Sequence, residues 1–162
     1  MHEKLKFEQI KKDSCASLRY DYSSLYPKDE MPLHFHPEIE ICYVVKGSGY
    51  RMMGDFLEPF EEGEVVLVPT NQPHCWMYNP ESCEPDGKRQ CIVVQFNPDL
   101  LQAGLSFFTE WEYAAHRLSA IQQGILLTGR TAGKIKSCLE EMNCLNASER
   151  MLMLIRILQQ IG

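Results

Sequence analysis

Up to about residue 97, apolar and polar positions alternate in short runs broken by turn-forming residues, which is the period of β-strands. Strands are predicted over 15–22, 32–36, 39–45, 49–53, 56–59, 64–69, 74–77 and 89–96. The breaks hold turn chemistry, for example Lys46-Gly47-Ser48-Gly49, Gly54-Asp55 and Thr70-Asn71-Gln72-Pro73. Many short strands at near-regular spacing predict a mainly β barrel or sandwich. After Pro98 the period becomes helical, with helices predicted over 107–123, 132–145 and 147–161. Ile135, Cys138, Leu139, Met142 and Leu145 form one stripe, the mark of a helix buried on one side. Asn146 followed by Glu149 reads as a capping box for the last helix. In that helix Met151, Leu154, Ile155, Leu158 and Ile161 share a face, while Leu152 and Met153 fall on the opposite arc. A helix apolar on two sides has two neighbours, and the second is expected to be another copy of the chain. Residues 1–97 are therefore read as the β-barrel and 98–162 as a helical dimerisation segment packed on it, one structural unit.

Composition narrows the class. At 162 residues, 44% hydrophobic and 23% charged, the chain can bury a core and is neither disordered nor low in complexity. No apolar run approaches the ~18 residues of a membrane span, and the charged start MHEKLKFEQIKK is no signal peptide. Seven cysteines at irregular spacings, with no C-x-x-C pair, suit thiols in a reducing compartment, so a cytoplasmic protein is expected. The net charge of −6 lies wholly in residues 1–96, which hold 10 basic and 16 acidic residues; 97–162 hold six of each. Neither half carries the basic stripe that duplex DNA or an anionic membrane demands, so this polypeptide is expected to bind neither.

The candidate chemistry sits between residues 33 and 79. His34, His36, Glu40 and His74 offer three imidazoles and a carboxylate, the natural ligands of a divalent transition metal. On a strand, residues 34 and 36 face one side. Four residues of straight strand span ~13 Å, so His36 and Glu40 meet only if the chain turns at Pro37. Three readings stand side by side: a metal site holding Fe, Mn, Ni, Co or Zn; a polar lining that bonds a small molecule directly; and a structural hydrogen-bond cluster. Parity adds to the lining. If Glu40 points in, so do Cys42 and Val44; if His74 points in, so do Trp76 and Tyr78. Tyr50 and Met52 are weaker candidates. An indole beside polar groups makes a flat wall for a sugar or another ring.

These residues resemble the two cupin motifs. His34, His36, Glu40 and Gly47 match H-x-H-x3-E-x6-G, with Lys28 where the family has a leading glycine. Gly63, Pro69 and His74 match the second motif; Asn71 replaces a glycine and tolerates the same positive φ, and the closing Asn falls one place late, at Asn79. The resemblance implies a cupin-type, jelly-roll-like β-barrel. More narrowly, the run from PLHFHPEIEICYVVKGSG to NQPHCW, then QCIVVQFNPDLL and the amphipathic helices ending in RMLMLIRILQQIG, resembles the effector-binding domain of AraC-type transcription regulators. That resemblance implies a ligand in the barrel at His34, His36, Glu40, His74, Trp76 and Tyr78, a homodimer through the C-terminal helices, and no catalysis. It also implies DNA contact only through helix-turn-helix motifs that have no counterpart here, so the chain is expected to be a fragment of a longer gene product. The alternative is a free-standing metal-dependent cupin enzyme, a dioxygenase or sugar isomerase.

Overall fold

A computed structural model describes residues 5–12 and 16–162; Cys15, the predicted start of a strand, lies outside them. The strands are β1 (Lys6–Phe7), β2 (Leu18–Leu25), β3 (His34–Phe35), β4 (Ile39–Lys46), β5 (Gly49–Met53), β6 (Phe56–Phe60), β7 (Val65–Val68), β8 (His74–Tyr78), β9 (Arg89–Phe96) and β10 (Ile125–Leu127). The helices are α1 (Asp99–Phe107), α2 (Glu112–Ser119), α3 (Gly129–Glu141) and α4 (Ala147–Ile161). The strands form two five-stranded sheets, in the orders β1-β3-β8-β5-β6 and β10-β7-β4-β9-β2.

The central strands of the second sheet, β4, β7 and β9, are buried on both faces. Glu40, Cys42 and Val44 of β4 face the barrel interior, where Cys42 and Val44 pack with Val66, Val68, Trp76 and Tyr78. Ile39, Ile41 and Tyr43 face the other way and share a core with Val65, Leu67, Ile92, Val94 and the helices. The alternation read along β4 thus separates two buried environments rather than core from solvent, which explains why the strand is apolar almost throughout. Helices α3 and α4 close the outer core with Ile135, Leu139, Leu154, Ile157 and Leu158, each fully buried. Burying each such side chain stabilises by about 1.5–3 kcal/mol. The capping box at Asn146 and Glu149 is present in both directions, with bonds of 3.1 and 2.9 Å.

Four expectations change. The helix predicted over 107–123 is broken at Phe108, whose backbone is extended. The break lets Trp111 tuck under α1, where its indole donates to the Leu101 carbonyl at 3.2 Å. Helix α1 was missed, although Asn97 supplies a start signal by accepting from the Asp99 amide at 2.8 Å. The apolar connector at 124–129 contains β10, which pairs antiparallel with β7 and so carries the later segment back into the sheet. Finally, Met153 is 8% exposed and belongs to the chain's own core, while Leu152 is 69% exposed. The inward arc of α4 is rotated toward Met153 and Ile157, because α4 packs on α2 and α3 as well as behind the sheet. No helix among the described residues is long and apolar enough to cross a membrane.

Candidate functional site

Backbone pairing assembles the histidine cluster. His34 on β3 is the cross-strand partner of His74 on β8, and their rings stand 4.2 Å apart. After His36 the chain turns through Pro37 into β4, which returns Glu40 to the same place. His36 Nε2 then lies 3.1 Å from Glu40 Oε2, and His74 Nε2 lies 3.7 Å from it. Asn71, at φ 58°, takes the left-handed backbone that the glycine of the motif would take, and its amide donates to the His36 carbonyl at 2.8 Å.

The tautomers follow from the outer contacts. His34 Nδ1 donates to the Pro32 carbonyl at 2.8 Å, and His74 Nδ1 donates to the Gln72 carbonyl at 2.7 Å. Each neutral ring therefore keeps its lone pair on Nε2. Backbone anchoring of this kind fixes metal-binding imidazoles. The ligand atoms of His34, His36 and His74 all lie within 4.8 Å of one another. His74 Nε2 and His36 Nδ1 are buried without a hydrogen-bond partner, a costly condition unless something else satisfies them. Three imidazoles and one carboxylate with spare buried lone pairs fit a divalent transition metal.

Charge is concentrated here. Burial pushes the Glu40 carboxyl up, but the imidazoles of His36 and His74 outweigh it and hold it below the usual carboxylate range. Burial pushes His74 down, and the Glu40 carboxylate more than offsets this, so its pKa is raised. Burial, aided by repulsion from His74, brings His34 down to about 4.

A cavity of about 290 Å³ opens beside the cluster. Of the six predicted site residues, His34, Glu40, Trp76 and Tyr78 line it. His36 and His74 are each 1% exposed and do not line it. Trp76 Nε1 is a buried donor with no acceptor. Tyr50 and Met52 point away from the cavity, because β5 pairs Arg51 with Trp76 and so sends Arg51 inward. There Arg51 meets Glu64 at 2.8 Å and Glu58 at 3.4 Å.

Several lining residues escaped the sequence reading. Gln95 is the cross-strand partner of Glu40 and donates to its Oε2 at 2.8 Å. Arg19 holds the Gln95 carbonyl oxygen at 3.1 Å. Glu8, brought in beside β3 by β1, stands 3.4 Å from His34 Nε2. The inward set of β9, namely Arg89, Cys91, Val93 and Gln95, alternates with the largely apolar Gln90, Ile92, Val94 and Phe96. That alternation was the available signal.

Comparisons with known proteins agree with this architecture. A family model for the cupin domain matches residues 22–84, which include His34, His36, Glu40 and His74. No curated protein matches the chain. Among solved structures, the AraC-like transcriptional activator CuxR is similar at 12% identity and a TM-score of 0.52, over 78% of this chain and 41% of that one. Bacillus subtilis oxalate decarboxylase, described with Mn(II) centres, is similar at 23% identity and a TM-score of 0.42, over 51% of this chain and 22% of that one. A cupin 2 conserved barrel domain protein from Rhodopseudomonas palustris is similar at 14% identity and a TM-score of 0.41, over 54% and 57%. The chain thus spans less than two thirds of the length of each. The likeness is one of fold, a cupin barrel followed by C-terminal helices.

Proposed function

We propose that this chain senses a small molecule in its barrel, as the effector-binding and dimerisation part of an AraC-type transcription regulator. One observation carries the reading: the second sheet is a wall shared by the cavity and the helices. Glu40, Cys42, Val93 and Gln95 look into the cavity, while Ile41, Ile92 and Val94 between them touch the helical core. A guest that shifts β4 or β9 therefore also shifts what α3 and α4 rest on. The fold likeness to an AraC-like activator extends past the barrel and supports the same reading. A polar guest with a flat face suits the lining, which combines carboxylates, Arg19, an unpaired indole N–H and the Trp76 ring. A sugar has this chemistry. The partner is a second copy, docked on the apolar groove of about 400 Å³ between α1 and α4, lined by Leu100, Phe107, Phe108, Trp111, Met151 and Ile155.

The test is a thermal-shift screen of monosaccharides and other polyols, with and without divalent cations. One of them is expected to raise the melting temperature and to quench the Trp76 emission, and Trp76→Leu should abolish both effects. No shift with any hydroxylated ligand would overturn the sensing reading.

The histidine cluster favours a second reading, a metal-dependent cupin enzyme such as a dioxygenase or sugar isomerase. His34, His36, His74 and Glu40 would hold the ion, which would supply Lewis-acid or redox chemistry. Gln95 would orient Glu40, and the Pro32 and Gln72 carbonyls would hold two rings in their ligating tautomer. Elemental analysis of protein purified without an affinity tag should then find near-stoichiometric Fe, Mn, Ni, Co or Zn, and His36→Ala should abolish it.

A further inference from the structure

The cavity has a second group of side chains, Ser23, Cys42, Arg89 and Cys91, whose reactivity neither reading above uses. Arg89 is 4% exposed. Its Nη1 donates to Cys91 Sγ at 3.0 Å and to Ser23 Oγ at 2.6 Å, and its Nε donates to Glu30. Ser23 Oγ lies 3.4 Å from the same sulfur. Val44 pairs with Cys91 and Cys42 with Val93, so the two cysteines are diagonal neighbours across the β4–β9 ladder. Each of the two sulfurs is the main influence on the other's ionisation. A buried guanidinium aimed at a sulfur is an expensive arrangement for a thiol that serves only as packing. The sulfur faces a cavity open to small solutes, and the unpaired indole N–H of Trp76 in the same cavity marks it as a space that takes a polar guest.

We propose that Cys91 is a site of oxidation by hydrogen peroxide or a small organic hydroperoxide, with Cys42 as the thiol that resolves it to a disulfide. The Cys91 thiolate attacks one peroxide oxygen. The S–O bond forms, the O–O bond breaks, and the second oxygen leaves as hydroxide or alkoxide and takes a proton from water. Sulfur is oxidised by two electrons and the peroxide is reduced. The Cys42 thiol then attacks the sulfenic sulfur; the S–S bond forms, the S–O bond breaks and water leaves. Arg89 contributes in the first step, since its positive charge favours the thiolate and faces the negative charge that develops on the departing oxygen. The neighbouring Cys42 thiol, with the Arg89 charge and the Ser23 hydroxyl, outweighs burial and brings the Cys91 thiol down. Elsewhere, burial pushes the half-buried Cys83 thiol up, and Cys144 is exposed. These two are internal comparators.

The experiment treats the reduced full chain with a few equivalents of hydrogen peroxide at neutral pH. Remaining thiols are alkylated after timed quenching, and each cysteine is followed by peptide mass spectrometry. Cys91 and Cys42 should disappear together into one mutual disulfide, about ten-fold or more faster than Cys83 and Cys144 are lost. In Cys42→Ser, dimedone should trap a sulfenic acid at Cys91, and Arg89→Lys should slow its formation. Oxidation of Cys83 or Cys144 as fast as Cys91 in the unaltered protein would overturn the proposal, whatever the variants do. So would a natively folded Cys42→Ser protein whose Cys91 never takes dimedone.

Discussion

Gly47 stands at φ 110°, and a Cβ built on it would meet Tyr78 Cδ1 at 2.7 Å. Gly47→Ala therefore combines backbone strain with a clash against the cavity wall. It is expected to cost about 1–3 kcal/mol in urea unfolding, and to weaken any ligand response through the displaced Tyr78. Gln95 is a subtler case. It is 2% exposed and gives Glu40 a donor from the neighbouring strand. Gln95→Leu keeps the volume and removes that donor, so under the metal-dependent reading divalent-metal affinity measured by calorimetry should fall by about 10–100-fold while the fold survives. Single residues were legible where chemistry and spacing coincide: His34, His36, Glu40 and His74 announce themselves by type, and Asn71 by its turn. Gln95, Glu8 and Arg19 did not, because each enters the site through strand register, which pairs positions as distant as 19 and 95. Parity along one strand cannot supply that register.

At the level of elements, two tyrosines tie α3 to the second sheet. Tyr20 on β2 donates to the Leu139 carbonyl at 3.1 Å, and Tyr43 on β4 donates to Glu140 Oε1 at 3.1 Å. Burial pushes both phenols up to about 12; for Tyr43 the hydrogen bond to Glu140 adds to it. In the unfolded chain a tyrosine loses its proton near pH 10. The folded pKa is the higher one, so this contribution to stability is intact below pH 10 and is lost as pH rises toward 12. Thermal melts between pH 9 and 12 should fall less steeply for Tyr20→Phe with Tyr43→Phe than for the unaltered protein. Equal slopes would show that the phenols do not act as this clamp. Strand and helix periods were readable here because most elements bury one continuous face. The 107–123 helix was misplaced because its apolar residues serve two segments that meet at an angle, and β10 was hidden because three residues are too few to show a period.

For the whole molecule, the open question in the sequence was which side of α4 meets a partner. Met153 is spent on the internal core, so the outward apolar residues are Leu152, Met151 and Ile155, together with Phe107 at the end of α1 and Phe108 just after it. Phe107 is 80% exposed, and substituting it or Leu152 removes nothing from the core. The unaltered chain is expected to sediment as a dimer at tens of micromolar, and Leu152→Glu with Phe107→Glu as a folded monomer. A dimer in both would place the interface elsewhere. The short strand β10 has a bearing on biosynthesis as well. Until residues 125–127 have been made, the outer edge of β7, whose side chains are Val65, Val66, Leu67 and Val68, has an open row of backbone amides and carbonyls. During translation this edge stays bare while the next ~60 residues are added, which is several seconds of ribosome time. Nascent chains halted before residue 125 should therefore self-associate edge to edge, whereas chains a few residues longer carry their own cover.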